Sequence, residues 1–422
     1  MDRSSRTSLV PRSAAPVNSS FVTKIAIKPK LIQWAIERSR RDLVEFENQF
    51  PRLEQWSRGD DSPTLKQLEK LAAATHTPIG YFFLETPPDE TLPVPDFRTL
   101  GSAEVGRPSP DLLDTIHLCQ QRQDWYRQNS LLQGEPPLPF IGSATTGSDV
   151  VSTAARIREA VGFDMSARAE ANTFEDALRM MTATTDGAGV LVMVSGIVGQ
   201  NTHRILDLGE FRGFALSDKL APLVFINGTD TKSGQMFTLA HELAHLWLGQ
   251  SAVTDATAAG GTRRTIASGG AAVETWCNGV AAEMLVPMES FEGVYRPGAA
   301  LQAEKVRLSK LYKVSTLVVL RRMFDAGGLT REVFNEVYTA EVKRLMAVMV
   351  EKKAKAGSGG DPYATGRVRL SPRFGRAVLA ATWEGRSTFT EAFRLLGFKS
   401  GAKLEKFGDS LGMTAYLRGG AV

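Results

Sequence analysis

Five consecutive residues, His241-Glu242-Leu243-Ala244-His245, have the types and spacing best suited to chemistry. Residues four apart on a helix share a face, so both imidazoles can reach one metal ion. Glu242 lies one step round the helix, where its carboxylate can contact a water on that ion without binding the ion. Zinc lowers the pKa of such a water to roughly 7, and the carboxylate can then carry its proton to a leaving amine. The pattern therefore predicts a catalytic zinc site with His241 and His245 as metal ligands and Glu242 as the catalytic residue.

The third metal ligand must come from elsewhere, because a catalytic zinc usually has three protein ligands and one open position. The other histidines, His76, His117 and His203, all lie upstream, and we expect them to be ordinary surface or core residues. A carboxylate downstream is the better candidate, and both Glu274 and Glu283 lie on the next predicted helix. They are nine residues apart, about two and a half turns, so they point to different faces and only one can be the ligand.

Predicted strands and helices surround these residues. Runs rich in β-branched and aromatic residues, bounded by Gly, Asp and Asn, predict strands over 189–194, 211–216 and 222–227. A predicted helix over 233–248 follows, with Ser233 as its N-cap, and a second helix over 272–285 carries Glu274. The predicted fold class is α+β, with a short sheet packed on the zinc helix and the glutamate helix and with all-α modules on either side.

Three separated segments resemble the ImmA/IrrE metallo-endopeptidases. They are 237–245 (Phe-Thr-Leu-Ala-His-Glu-Leu-Ala-His), 274–278 (Glu-Thr-Trp-Cys-Asn) and 281–287 (Ala-Ala-Glu-Met-Leu-Val-Pro). With the strands upstream and a helix pair downstream, the resemblance covers about 181–350. In that family the Glu that opens the second segment is the third zinc ligand, which implies Glu274 here. The resemblance also implies a zincin-like fold and cleavage of a cognate repressor or antitoxin.

The other polar residues near these segments have more ordinary interpretations. We expect Glu283 to support a ligand or to pack between helices, and Asn278 to orient a ligand. Cys277 could be a metal ligand, but we expect it to be a small buried residue. A Tyr, His or Arg is expected to stabilise the transition state. The nearest candidates along the sequence are Arg212, Tyr295 and Tyr312, and the sequence does not select between them.

The N-terminal segment resembles the Xre-type helix-turn-helix domain. The matching residues are Trp56-Ser57-Arg58-Gly59, Pro63-Thr64, Gln67-Leu68, Leu71-Ala72 and Pro78. The resemblance departs at the turn before the recognition helix, where Gln49-Phe50-Pro51 replaces Gly-Val-Ser, and at Glu54, which would oppose phosphate. The sequence therefore leaves two roles open for this segment: DNA binding, or dimerisation and substrate docking.

The whole chain divides into six predicted segments. They are a disordered tail at 1–22, a helix-turn-helix-like domain at 23–86, a helical linker region at 87–180, a zinc metallopeptidase domain at 181–350, a flexible linker at 351–366 and a small helical C-terminal module at 367–422. This organisation predicts a zinc endopeptidase that cleaves a regulatory protein to control gene expression. The alternative is a DNA-binding regulator, or an antitoxin, whose protease activity is weak or lost.

Composition limits where such a protein works. The net charge of +4 is too mild to indicate nucleic-acid binding by itself, and two cysteines in 422 residues favour a reducing compartment. No apolar run approaches the roughly 18 residues of a membrane span, and the N-terminus lacks an apolar signal core. We therefore expect a cytoplasmic protein with no membrane partner.

Overall fold

The chain forms two compact units, divided between Glu90 and Thr91. A computed structural model describes residues 23–95, 107–163, 165–254, 269–355 and 370–414. The predicted tail at 1–22 and most of the predicted linker at 351–366 lie outside these residues. None of the described helices combines the length and the apolar character that a membrane crossing needs.

The first unit is a small helical bundle. Its helices are α1 (Pro29–Ser39), α2 (Leu43–Gln49), α3 (Leu53–Arg58) and α4 (Leu65–Ala74), followed by a 3₁₀ turn (Ile79–Phe83). Trp34, Phe46, Trp56 and Phe82 are at most 4% exposed and form much of its core. A capping box starts α4, because the side chains of Thr64 and Gln67 each accept the backbone N–H of the other residue.

The second unit contains one small sheet among many helices. Its strands are β1 (Leu191–Ser195), β2 (Gly213–Leu216), β3 (Leu223–Asn227) and β4 (Ala252–Thr254). The helices up to the sheet's last strand are α5 (Pro110–Gln133), α6 (Val150–Val161), α7 (Met165–Ala169), α8 (Phe174–Gly187) and α9 (Lys232–Leu248). Those after it are α10 (Gly269–Leu285), α11 (Met288–Val294), α12 (Leu301–Tyr312), α13 (Thr316–Asp325), α14 (Arg331–Lys355), α15 (Pro372–Trp383), α16 (Phe389–Leu396) and α17 (Gly401–Ser410).

The sheet has the strand order β1-β3-β2-β4. β1 pairs parallel with β3, whereas β2 pairs antiparallel with both β3 and β4. Every residue of β1, β2 and β3 is buried, so the strands read as continuous apolar runs, as expected for a sheet covered on both faces.

The alternation of side chains along the strands divides the interior into two cores. Val192, Val224 and Ile226 face a core that includes α6, α8, α9 and α10. Leu191 and Phe225 face the opposite core, which is completed by α5 and by α15, α16 and α17. The helices of the predicted linker region and of the predicted C-terminal module thus cover the sheet, while the domain boundaries themselves stay predictions.

The mixture of many helices with a four-stranded sheet confirms the α+β fold class. Details of the sequence prediction were wrong, and the strand predicted over 189–194 is one of them, since it runs from Leu191 to Ser195. Thr231, not Ser233, caps α9, since its hydroxyl accepts the Gly234 N–H at 3.1 Å. The strand predicted from 211 begins at Gly213, because Phe211 and Arg212 lie between the preceding turn and the sheet.

Candidate metal centre

Helix α9 carries His241, Glu242 and His245 through the middle of the second unit. The helix packs against β2, β3, α8 and α10, so its residues from Gln235 to Trp247 are all buried. Gly249 ends the helix in the left-handed conformation, with φ of 70°, which glycine adopts without steric cost. This burial on every side holds both imidazoles in fixed positions.

The two histidines and Glu274 meet at one point. His241 Nε2 lies 3.0 Å from His245 Nε2. The Glu274 carboxylate, on α10, places Oε2 3.3 Å from His241 Nε2 and Oε1 3.1 Å from His245 Nε2. The side chains of His241 and His245 are 1% and 0% exposed, and that of Glu274 is 18% exposed. The Glu274 side chain is thus the most exposed of the three.

These three side chains fit a zinc ion. Two imidazole nitrogens and one carboxylate oxygen form an established set of catalytic zinc ligands. In a tetrahedral site with bonds of about 2.0–2.1 Å, neighbouring ligand atoms lie about 3.3 Å apart. The separations of 3.0, 3.1 and 3.3 Å are close to that value. Within the described part of the chain, this is the group of His, Cys, Asp and Glu side chains that meets the spacing of a metal site.

Asn278 fixes the orientation of His241. It lies one helical turn after Glu274 on α10, on the same face, and its Oδ1 is 3.0 Å from His241 Nδ1. An amide oxygen only accepts hydrogen bonds, so His241 Nδ1–H donates to it and the lone pair of Nε2 faces the point shared with His245 and Glu274. One helix therefore supplies both a ligand and the group that orients another ligand.

Burial and charge shift the pKa of each of the three side chains. Burial lowers the pKa of His245, which keeps its imidazole neutral. Burial would raise the pKa of Glu274, but His241 and His245 outweigh it and the pKa lies well below its usual range. For His241 burial also disfavours the charged form, yet the neighbouring Glu274 carboxylate raises its pKa. The carboxylate is thus ionised, as a metal ligand must be.

Glu242 lies against Gly213, the residue of β2 that has no side chain. Its carboxylate is buried, and a Cβ built on Gly213 would stand 3.4 Å from Glu242 Oε1. The same Cβ would stand 2.5 Å from Thr238 Cγ2 and 2.7 Å from the Phe225 carbonyl oxygen. Gly213 therefore allows α9 to lie close enough to the sheet to hold Glu242 beside the histidines.

The remaining predicted residues lie in other environments. Glu283 packs between helices as expected, accepting from Arg322 at 2.7 Å and from the Met288 N–H at 3.2 Å. Cys277 is fully buried, and burial raises the pKa of its thiol well above its usual range.

The three transition-state candidates contact groups other than the metal ligands. Arg212 pairs with Asp230 just before α9, Tyr312 hydrogen-bonds to Ser290 at 2.9 Å, and the Tyr295 ring stacks on Phe291. The choice between them stays open. His76 lies in the first unit, His117 lies on α5, and His203 lies between β1 and β2.

Three arginines that sequence reasoning missed hold the C-terminal end of α10. Arg158 donates to the Glu283 carbonyl at 2.8 Å, Arg168 donates to the Leu285 carbonyl, and Arg322 pairs with the Glu283 carboxylate. They come from α6, α7 and α13, and Glu283 lies 125 residues from Arg158. Local sequence pattern carries no signal for contacts of this kind.

Comparison with known families identifies the region that contains the site. Residues 189–324 match the Peptidase_M78 family, described as an IrrE N-terminal-like domain. This M78 region contains His241, Glu242, His245 and Glu274, and the match supports the ImmA/IrrE family resemblance. It suggests a peptidase with a metal-dependent mechanism.

The rest of the chain is less informative in the same comparisons. Residues 370–410 match a domain of unknown function, DUF8813, which covers the C-terminal helices beyond the M78 region. No curated protein matches the chain. The M78 region is therefore the part of the chain from which a function can be argued.

Proposed function

We propose that this protein is a zinc-dependent endopeptidase of the His-Glu-x-x-His type with a glutamate third ligand. The observation that carries the proposal is the convergence of His241 Nε2, His245 Nε2 and the Glu274 carboxylate, beside a buried Glu242 on the same helix. The match of the surrounding 189–324 to a peptidase family supports the same reaction class.

Each residue has a role that follows from its position. His241, His245 and Glu274 would hold the ion, and Asn278 would keep His241 in the tautomer that presents Nε2. When bound, zinc supplies a Lewis acid that polarises the peptide carbonyl and lowers the pKa of water to roughly 7. Glu242 takes the proton from the attacking water and donates it to the nitrogen of the broken peptide bond. The reaction consumes one water and yields a new carboxyl and a new amine terminus.

We propose a cognate repressor or antitoxin as the substrate, with cleavage releasing control of gene expression in the cytoplasm. The support for this substrate is the resemblance of 237–245, 274–278 and 281–287 to the ImmA/IrrE segments. Regulatory pairs of this kind are often encoded side by side. The protein encoded next to this chain is therefore the first candidate to test.

The experiment co-expresses the chain with that neighbouring protein and follows cleavage by mass spectrometry. The wild type is expected to cut one internal peptide bond, whereas Glu242→Gln keeps zinc and loses cleavage. Glu175→Gln, at an exposed position of α8, is the matched control and should cut as the wild type does. Cleavage retained in Glu242→Gln would reject the proposed proton carrier. Stoichiometric zinc without cleavage would point to a different substrate.

We propose that the first unit docks a protein partner, and DNA binding is the competing role. The unit has the helical composition of a DNA-binding bundle, but residues 23–90 contain ten Lys and Arg against eleven Asp and Glu. On α3, the exposed Arg58 pairs with Glu54, and Arg52, just before the helix, pairs with Asp61 at 3.3 Å. In a helix-turn-helix domain, α3 would be the helix that contacts DNA. Its basic groups Arg52 and Arg58 are neutralised by neighbouring acids, which weakens phosphate binding.

A gel-shift series at increasing salt separates the two roles for the first unit. We expect no shift of DNA from the promoter of the chain's own operon, even at low salt. A shift whose affinity falls steeply with salt would instead show phosphate binding and favour the DNA-binding regulator.

A further inference from the structure

The C-terminal helices α15, α16 and α17 form a unit of their own along the chain. Residues 370–410, here called the DUF8813 segment, match a family model that is separate from the one matched by 189–324. Within the segment, the rings of Phe398 and Phe407 pack together with their centroids 5.1 Å apart. The segment therefore has a sequence pattern and some packing that do not depend on the M78 region.

The apolar side chains of the DUF8813 segment face the sheet of the M78 region. Phe374, Val378 and Leu395 are at most 2% exposed. They belong to the same core as Leu191 of β1 and Phe225 of β3. Burial of apolar surface favours association but has no direction, so it does not by itself fix the position of the segment on the sheet. Polar contacts are needed for that.

Polar contacts between α8 and α15 join the end of one helix to the start of the other. The Asp186 carboxylate, in the last turn of α8, accepts the Arg373 N–H at 3.0 Å and the Ser371 hydroxyl. In return, Arg373 Nε donates to the Asp186 carbonyl at 2.9 Å, and its Nη2 donates to the Gly187 carbonyl at 2.9 Å. An acidic group thus lies at the N-terminus of α15 and a basic group at the C-terminus of α8, where each helix dipole favours it.

The sequence at the start of α15 leaves one N–H for a group outside the helix. Pro372 has no N–H, and Ser371 Oγ accepts the Phe374 N–H at 3.1 Å. The Arg373 N–H between them finds its acceptor on α8. Asp186 is 4% exposed, so a segment displaced along the sheet would leave a buried carboxylate without its donors. This cost favours a single position of the segment.

Two contacts with α5 hold the DUF8813 segment at further points. Arg122 Nε donates to the Leu395 carbonyl near the end of α16 at 3.0 Å. Arg386, just after α15, donates through Nη1 to Asn129 Oδ1 at 2.8 Å. Both Arg122 and Asn129 lie on α5. Polar contacts therefore hold the segment at the start of α15, just after α15 and near the end of α16.

We propose that the DUF8813 segment is an internal docking module that binds the sheet of the M78 region through non-covalent contacts alone. Asp186 and Arg373 are the residues that recognise each other across this interface. The partner is the sheet of the same chain, and the connecting residues raise the local concentration of the module without making the contact themselves. The interface is separate from the metal centre and does not depend on the peptidase chemistry.

The first test cuts the full chain after it has folded. A site for a specific protease, one that the rest of the chain lacks, is inserted at 357–360, a Gly-Ser-Gly-Gly stretch of the predicted flexible linker. After cutting, native mass spectrometry of the wild type is expected to show one N-terminal body that still holds one C-terminal fragment. Separation of the two pieces would overturn the docking module. Assemblies of two bodies with two fragments would overturn docking within one chain.

The second test measures how fast the C-terminal fragment leaves the cut chain after dilution. We expect Asp186→Asn and Arg373→Gln each to speed release by about 10-fold or more, because each removes a charged group from the interface. Two exposed controls, Glu175→Gln on α8 and Arg394→Gln on α16, should release the fragment at the wild-type rate.

Equal release in the wild type and all four variants would overturn the recognition role of Asp186 and Arg373. Arg373 is only half-buried, so Arg373→Gln decides the question even if Asp186→Asn does not fold.

Discussion

Asn278 Oδ1 lies 3.0 Å from His241 Nδ1, so α10 orients a ligand that belongs to α9. Groups that hold a metal-bound histidine typically change metal affinity by about 10–100-fold when removed. We predict that Asn278→Ala raises the zinc Kd within that range, measured by competition with a chelator. Asn278→Asp keeps an acceptor and should raise the Kd much less. An unchanged Kd in Asn278→Ala would contradict the orienting role.

Gly213 controls the distance between α9 and the sheet. A Cβ there would stand 2.5 Å from Thr238 Cγ2 and 2.7 Å from a backbone oxygen, so the helix or the strand must shift. Overpacking of this kind costs about 1–3 kcal/mol. We predict that Gly213→Ala lowers the free energy of unfolding by that amount and also lowers the cleavage rate, because Glu242 moves with the helix.

The matched control for Gly213→Ala is Gly293→Ala on α11. A Cβ at Gly293 has open space around it. Chemical denaturation and a cleavage assay should show little change in that variant. Equal effects at the two glycines would mean that the close approach at Gly213 is unimportant.

Glu283 and Arg322 form a buried ion pair, and we expect their contributions to the free energy of unfolding to depend on each other. Their side chains are 5% and 7% exposed, and their charged atoms are 2.7 Å apart. Removing one partner of such a pair leaves a buried charge and costs about 3–5 kcal/mol. We predict that Arg322→Met destabilises the fold within this range, measured by urea unfolding. Glu283→Gln in the same chain should restore part of the loss. If the double variant lost the sum of the free energies of unfolding lost by Arg322→Met alone and Glu283→Gln alone, the two residues would not be coupled.

Glu341 should make stability depend on pH in the acid range. Arg344, followed by Lys305 and Thr316, holds the pKa of this carboxyl at about 2, although burial opposes them. The unfolded carboxyl titrates near its ordinary pKa of about 4.3. The stabilisation is therefore present above pH about 4.3 and is lost as the pH falls towards about 2.

The comparison of wild type with Glu341→Gln isolates this contribution. We predict that the wild type's advantage in free energy of unfolding shrinks across that acid interval and is constant above it. The measurement is chemical denaturation at a series of pH values. A difference that does not change with pH would show that folding does not shift the pKa of Glu341.

The parts of the site that depend on one helix could be predicted from the sequence. The spacing of His241 and His245 encodes a shared face, and the structure places them together. The choice of Glu274 over Glu283 could not be made from the residues alone and came from a family resemblance. It depends on how α10 crosses α9, and tertiary packing decides which face of α10 meets the histidines.

Other features depend on contacts between distant segments and were not predicted. Arg158, Arg168 and Arg322 hold the end of α10 from three different helices. The sequence predicted a small helical module at 367–422, but a helical pattern does not state what the helices cover. The structure shows that they cover the sheet face that includes Leu191 and Phe225.

X-ray absorption at the zinc edge of the purified chain tests the central claim most directly. The account predicts one zinc per chain, bound through nitrogen and oxygen, with two imidazole ligands that fall to one in His245→Ala. Absence of stoichiometric zinc, or a sulfur ligand from Cys277, would contradict it.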